Sequence, residues 1–282
     1  MSEKSLIPDF TFSELNACLL GLCRGAAHAI SLVYDSPAAL TVTSKQDKTP
    51  LTEADLAAHE LILIGLLQNF PDIPVLSEES TDVSWEERQR WDRYWLVDPL
   101  DGTREFIERT GEFTINIALI EHGKPRYGMV FLPLENLAYA GADGVALKIC
   151  GSSETIITAR STADQRSVTV LTSRRHRGEE LDLCIAQLER RFERVERKYF
   201  GSALKFCYMA EGLADFYPRF SPCSEWDTAA GQAVLEAAGG TIVNLEFEPL
   251  TYNQRACLLN PHFYAFSDAS FDWTELLKAP PS

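Results

Sequence analysis

The segment Tyr94-Trp-Leu-Val-Asp-Pro-Leu-Asp-Gly-Thr-Arg-Glu-Phe-Ile107 drives apolar residues straight into two aspartates, Asp98 and Asp101. Other acids stand at comparable places: Glu78 and Glu79 follow Ile73-Pro-Val-Leu-Ser77, and Asp227 directly precedes a helical pattern that begins Thr228-Ala-Ala-Gly. Carboxylates gathered at low-dielectric strand ends repel one another and lose hydration, so a multivalent cation is the natural compensating charge. Oxygen-only ligands point to Mg2+ or Mn2+. The Asp-x-x-Asp-Gly-Thr spacing adds a further reading. Pro99 turns the chain after the strand so that both carboxylates approach one volume, and Gly102 and Thr103 start a helix whose free amide hydrogens suit a phosphate. Singly, each feature has a plainer account: Asp-Pro-Leu-Asp-Gly as a turn, Glu78-Glu79 as a solvated loop, Asp227 as an N-cap, Asp55 as a charge in the first turn of its helix.

The elements that must position these groups follow from periodicity. Residues 11–32 read as a helix, with Thr11 and Ser13 as N-caps and Leu15, Leu19, Leu22, Ala26 and Ile30 on one face. A polar loop over 43–55 leads into a second helix through Ala58, Leu61, Ile62, Gly65 and Leu66 to Phe70. A short strand at 73–77, a surface excursion at 81–93 and the opening strand come next. Strands at 113–121, 127–132 and 137–140, joined by turns, make a local antiparallel meander. After a hydrophilic stretch at 158–165 the pattern alternates: strand 168–172, helix 179–191, strand 193–198, helix 202–211, then strand 214–217, helix 228–238 and strands at 241–244 and 263–267. Such alternation predicts an α/β second half. There is no internal repeat.

Composition sets the outer bounds. The chain has 282 residues, 45% of them hydrophobic, enough for a sizeable core. With 26 basic against 41 acidic residues the net charge is −15, which argues against a nucleic acid polymer as partner. Seven cysteines, an odd number with no C-x-x-C pair, argue against disulfide partners and for reduced thiols in the cytoplasm. No run approaches the roughly 18 apolar residues of a membrane span, and the first residues lack the pattern of a secretory signal.

Four segments in this order, Pro50-Leu-Thr-Glu-Ala-Asp55, Ser77-Glu-Glu-Ser80, Asp98-Pro-Leu-Asp-Gly-Thr103 and Trp226-Asp-Thr-Ala-Ala-Gly231, resemble the signatures of the inositol monophosphatase superfamily. The resemblance implies an α+β / α/β fold, a layered αβαβα sandwich. Its N-terminal antiparallel half, 1–160, would bind metal; its mixed C-terminal half, 161–282, would recognise substrate; the two would form one compact unit. It also implies a Mg2+-dependent, commonly lithium-sensitive phosphatase of small soluble monoesters. Further segments, Arg104-Glu-Phe-Ile107, Gly201-Ser-Ala-Leu-Lys-Phe-Cys207, Ala210-Glu-Gly212 and Tyr217-Pro-Arg-Phe220, look like the bisphosphate-nucleotidase branch. Inositol-specific enzymes more often have Thr-Asn-Phe after Asp-Gly-Thr and an acid near the position of Arg219.

What that branch implies is hydrolysis of the 3'-phosphate of adenosine 3',5'-bisphosphate to AMP and phosphate, in sulfur metabolism, by in-line attack of an activated water without a phosphoenzyme. 3'-Phosphoadenosine 5'-phosphosulfate is a second candidate substrate. The rival readings are an inositol monophosphatase or broad sugar phosphatase and, outside enzymes, a nucleotide or phosphate sensor. By resemblance Glu78, Asp98 and the Leu100 carbonyl hold one ion, Asp98, Asp101 and Asp227 hold a second, and a weaker third lies near Glu78. Thr103 would bind the attacking water and pass its proton toward Asp55, while the Gly102 and Thr103 amides grip the phosphate and Glu79 stands behind the ligands.

A second phosphate needs cationic or donor groups away from the metals, and the resemblance assigns Ser202, Lys205 and Arg219 to it. From the residues alone, surface charges or ion pairs at Lys205 and Arg219, and a helix N-cap at Ser202, remain equally open. In Ser173-Arg-Arg-His176, His176 is either a phosphate or ribose contact or part of a solvated loop. The resemblance also leaves room for a homodimer and for peripheral attachment to the cytoplasmic face of the inner membrane.

Overall fold

The computed structural model describes residues 7, 10–36, 42–44, 50–80, 82–173 and 178–277. Helix α1 (Phe12–Tyr34) opens on a capping box in which the Thr11 side chain takes the Glu14 amide and Glu14 takes the Thr11 amide at 2.9 Å. Strands β1 (Val42–Ser44) and β2 (Pro50–Thr52) pair antiparallel and lead into α2 (Glu53–Asn69). Then come β3 (Val75–Ser77), α3 (Trp85–Arg88), β4 (Arg93–Asp101), the short α4 (Thr103–Ile107), β5 (Thr114–Glu121), β6 (Lys124–Leu132), β7 (Leu137–Ala142), β8 (Val145–Cys150) and β9 (Ser153–Ile157). The remainder is β10 (Ser167–Thr172), α5 (Glu179–Arg191), β11 (Arg194–Tyr199), α6 (Leu204–Ala210), β12 (Phe216–Arg219), a 3-10 turn Glu225–Asp227, α7 (Ala229–Ala237), β13 (Thr241–Asn244), β14 (Phe263–Phe266) and α8 (Trp273–Leu277).

Strands β3 to β9 form one seven-stranded sheet in chain order, antiparallel except that β3 runs parallel to β4. A five-stranded mixed sheet has the order β11-β10-β12-β14-β13. Alternation along the strands then fixes five layers, because successive side chains point to opposite faces. On the large sheet Trp95, Val97, Ile115, Ile117 and Met129 meet α1 and α2, whereas Tyr94, Leu96, Ala118, Ile120 and Val130 meet α6 and α7. On the small sheet Leu171 and Tyr217 join that same central core, whereas Val168, Val170 and Phe216 pack with α5 and α8. The order is therefore αβαβα. Strands buried on both faces read as continuous apolar runs, as Ile117 to Ile120 do.

Several expectations need correction. Pro99 does not end strand β4, which runs on through it to Asp101. The meander does not stop at 140: Asp143 and Gly144, both in the left-handed region at φ 45° and 79°, make a tight hairpin into β8, and β9 follows. The 81–93 stretch is not wholly a surface excursion, since Arg88 is buried and donates to Asn253 Oδ1 at 2.5 Å and to the Arg255 carbonyl at 3.1 Å. Finally, α1 is long and apolar enough to cross a membrane by length and hydropathy. Its Leu15, Leu19, Cys23, Ala26 and Ile30 stripe is instead buried in the core it shares with α2 and the large sheet.

Candidate active site

Strands β3 and β4 run parallel, so their carboxyl ends open at the same edge and deliver Glu78 and Asp98 side by side; the Glu78 amide donates to the Val97 carbonyl at 3.1 Å. Asp101 poses a geometric problem. In a regular strand residues three apart face opposite ways. The ladder solves it with an extra residue: Asp98 pairs with Asn116 but Asp101 with Thr114, so three steps on β4 match two on β5. A bulge of this kind re-aims side chains, and here it turns Asp101 to the Asp98 side. Pro99, which lacks a ladder donor, fits such a place.

The fourth carboxylate comes from the other half. Ser224 and Asp227 form a capping box around the 3-10 turn, with the Ser224 amide donating to Asp227 Oδ2 at 2.9 Å. α7, which follows directly, lies against the large sheet where Gly128 and Gly141 face each other across the β6–β7 ladder. A Cβ on Gly128 would stand 2.3 Å from the Ala230 carbonyl oxygen, and one on Gly141 2.5 Å from the Val234 Cα. These two glycines let α7 approach closely enough to set Asp227 over the strand ends.

Carboxylate oxygens of Glu78, Asp98 and Asp227 lie within 4.8 Å of one another. Burial, then the Glu78, Asp101 and Asp227 charges, push the Asp98 carboxyl well above its usual range. Burial likewise lifts Asp227 to about 7, with the Asp101 and Glu78 charges adding. Asp101 rises to about 6 by burial, against the opposing pull of Lys205 and of hydrogen bonds from Asn116 and Ala203. Ionising such a group costs free energy unless a cation accompanies it. An all-oxygen set at this spacing fits a hard divalent ion, so the cluster can bind a metal. Asp101 stands just outside the mutually close trio and lines the same cavity.

Asp55 and Thr103 meet as the sequence suggests. Asp55 is the third residue of α2; its Oδ2 accepts the Thr52 amide at 2.8 Å and the Thr52 hydroxyl at 2.5 Å. The Thr103 hydroxyl lies 3.1 Å from Asp55 Oδ1 and 3.3 Å from the Leu100 carbonyl. Gly102, at φ 95°, turns the chain from β4 into α4, and a side chain there would press on the Glu112 carbonyl at 3.1 Å.

A cavity of about 310 Å³ joins this acidic floor to a cationic wall, its lining running from Glu78, Asp98 and Asp227 to Ser202, Lys205 and Arg219. Lys205 is buried and donates to the Ser202 carbonyl at 2.6 Å; burial, reinforced by Arg219, lowers its ammonium to about 8. Arg219 donates to the Pro222 carbonyl at 2.9 Å and to the Tyr217 hydroxyl at 3.3 Å. Neither is a free surface charge. Ser202 is not the N-cap of α6, a place taken by Ala203; it sits in the left-handed region at φ 43°. His176 lies outside the described residues.

Sequence reading missed the residues that hold Asp101 in place and tie the two halves together. The Ala203 amide donates to Asp101 Oδ2 at 2.6 Å, the Gly201 amide to Glu112 Oε2 at 2.7 Å, and Asn116 Nδ2 to Asp101 Oδ2 at 3.2 Å. Asn116 carried a signal: it is a polar residue inside an otherwise apolar run. The backbone donors carried none.

A layered αβαβα sandwich with an oxygen-only acidic cluster, where strand ends of the larger sheet face the turn before α7, defines a class of cation-binding folds. A model of the Inositol monophosphatase family matches residues 12–270, and the chain belongs to that family. Among curated relatives, the 3'(2'),5'-bisphosphate nucleotidase CysQ of Escherichia coli strain K12 is 49% identical over 243 residues, 86% of this chain and 95% of that protein. The CysQ of Haemophilus influenzae is 38% identical over 238 residues, 84% of this chain and 87% of its own. Among solved structures, CysQ from Bacteroides thetaiotaomicron superposes with a TM-score of 0.77 at 36% identity, covering 89% of this chain and 96% of that one.

Proposed function

We propose that this protein is a 3'(2'),5'-bisphosphate nucleotidase, hydrolysing the 3'-phosphate of adenosine 3',5'-bisphosphate to give AMP and inorganic phosphate. The carrying observation is the single cavity with acids at one end and Lys205 and Arg219 at the other. A substrate with two phosphates matches it: one phosphate shares the acidic end with cations, and the other needs protein donors of its own. Likeness to the CysQ nucleotidases over most of the chain supports the same substrate class.

Glu78, Asp98 and the Leu100 carbonyl would hold one Mg2+, Asp98, Asp101 and Asp227 a second, with room for a weaker third beside Glu78. Bound Mg2+ would supply the positive charge that acidifies water, neutralises the phosphoryl oxygens and stabilises the departing alkoxide. The protein's own part is proton handling and orientation. Thr103, within 3.1 Å of Asp55, accepts a proton from the attacking water as its own moves to Asp55, since one hydroxyl both donates and accepts. The paired Thr52 contacts keep Asp55 aimed while it does so. Amides of Gly102 and Thr103 bind the reacting phosphate; Ser202, Lys205 and Arg219 bind the other. Apart from Asp227, the cation ligands belong to the half that ends with β9, and choice of substrate to the half that begins with β10.

The test compares adenosine 3',5'-bisphosphate with inositol 1-phosphate and fructose 1,6-bisphosphate, each with Mg2+ and with chelator. Mg2+-dependent phosphate release that favours the nucleotide is expected. Preference for either sugar phosphate would defeat the substrate assignment, and full turnover in chelator the metal assignment.

A further inference from the structure

Two residues of β5 face the strand-end acids and have no place in the reaction described so far. Asn116 pairs across the ladder with Asp98, and Thr114 with Asp101. Both are buried, at 1% and 0% exposure, within a strand whose other side chains from Ile115 to Ile120 are apolar and fill the cores on both faces. Buried polar groups are retained where their hydrogen bonds are made. These form a directed chain. The Thr114 hydroxyl donates to Asn116 Oδ1 at 3.0 Å, and Asn116 Nδ2 donates to Asp101 Oδ2 at 3.2 Å. The Ala203 amide reaches the same Asp101 oxygen at 2.6 Å.

The direction follows from proton counting. Thr114 has one hydroxyl proton, and giving it to Oδ1 forces the Asn116 amide to turn its N–H toward the carboxylate. The flipped amide would set Oδ1 against Asp101 Oδ2, two acceptors with no proton between them. Asp101 Oδ2 is thus committed to two donors, one from each half of the molecule, which leaves Oδ1 as the oxygen to offer a cation.

We propose that Asn116, oriented by Thr114, is a positioning residue for Asp101, dividing that carboxylate between the cation site and the backbone at Ala203. The inference rests on the cation-dependent reading above. Groups that hold a ligand carboxylate in place control affinity as well as geometry, and their loss typically weakens metal binding by about 10- to 100-fold.

The experiment titrates metal-free protein with Mg2+, and separately with Mn2+, by calorimetry. Asn116→Ala is expected to weaken uptake about tenfold or more. It should also raise the Mg2+ concentration for half-maximal activity while saturating Mg2+ restores most of kcat, a split that general misfolding would not give. Thr114→Val, nearly the same shape without the hydroxyl, should weaken binding in the same direction, and Thr114→Ser should bind like the wild type. This pair keeps the proposal testable if Asn116→Ala folds poorly. Wild-type affinity in Asn116→Ala, or Thr114→Ser as weak as Thr114→Val, overturns it. Wild-type protein that takes up neither cation overturns the underlying metal reading instead.

Discussion

At the scale of single residues the site separates two jobs. Thr103 handles a proton next to Asp55, and replacing it tests that job alone. Thr103→Val keeps the branched shape and is expected to lower kcat by roughly 10²- to 10⁴-fold, the usual worth of positioned acid–base help, with Mg2+ affinity nearly unchanged; Thr103→Ser should retain most activity. Single-turnover rates and metal titrations on both variants decide it, and an active Val variant would remove Thr103 from the reaction. Lys205 handles charge. Its ammonium, lowered to about 8 chiefly by burial, is protonated at neutral pH and loses its charge as pH rises through that value. KM for the bisphosphate should therefore climb above about pH 8. Lys205→Met should lose that pH step and raise KM by roughly 10- to 100-fold, the worth of a charge-assisted hydrogen bond. A KM profile with the same step in both proteins would count against the role. The acids were legible in the sequence because their types and spacing are unusual at strand ends. Asn116 was not singled out, since a lone amide in an apolar run says nothing about which carboxylate it faces.

Elements decide whether those side chains meet. Asp227 depends on α7 lying close to the sheet, and that depends on Gly128 and Gly141 having no side chain. Gly141→Ala places a carbon where only 2.5 Å is open to the Val234 Cα, a backbone atom that cannot swing aside. Overpacking of this kind costs about 1–3 kcal/mol, so the urea midpoint should drop. Because the helix must back away and take Asp227 with it, Mg2+ affinity should fall as well. A destabilised variant with unaltered Mg2+ affinity would show that Asp227 is held by its own capping box. Helices α1 and α5 and most strands were readable from periodicity, which burial enforces. The bulge in β4 was not, because Pro99 in sequence looks like a strand terminator, and only pairing with β5 reveals a strand carrying one extra residue. Strand β8 escaped although Asp143-Gly144 is a strong hairpin signal, and α3 was hidden by its polar composition.

For the whole molecule the acidic cluster is a liability that cation binding turns into an asset, and pH separates the two states. Asp98, Asp101 and Asp227 all titrate above the ordinary aspartate value of 3.8 when folded, the latter two at about 6 and about 7. A group with a raised folded pKa contributes stability that is complete below its unfolded pKa and is lost as pH climbs through the folded one. Chelated protein should thus lose stability between about pH 4 and pH 7, by a few kcal/mol in all, because the three groups share one field and do not add independently. Metal ligands must shed protons to bind, so the Mg2+ contribution grows across the same window and enters as RT ln(1 + [L]/Kd). Thermal unfolding followed from pH 5 to pH 8 should give a falling midpoint in chelator and a widening gap between that curve and the one in Mg2+. In chelator Asp227→Asn should flatten the curve and raise its alkaline end, since one ionising group has gone, while the gap with Mg2+ shrinks. Parallel curves with and without Mg2+ would mean that these carboxylates are not where the cation binds. A variant curve no flatter than the wild type would mean that Asp227 is not among the groups whose ionisation the fold resists.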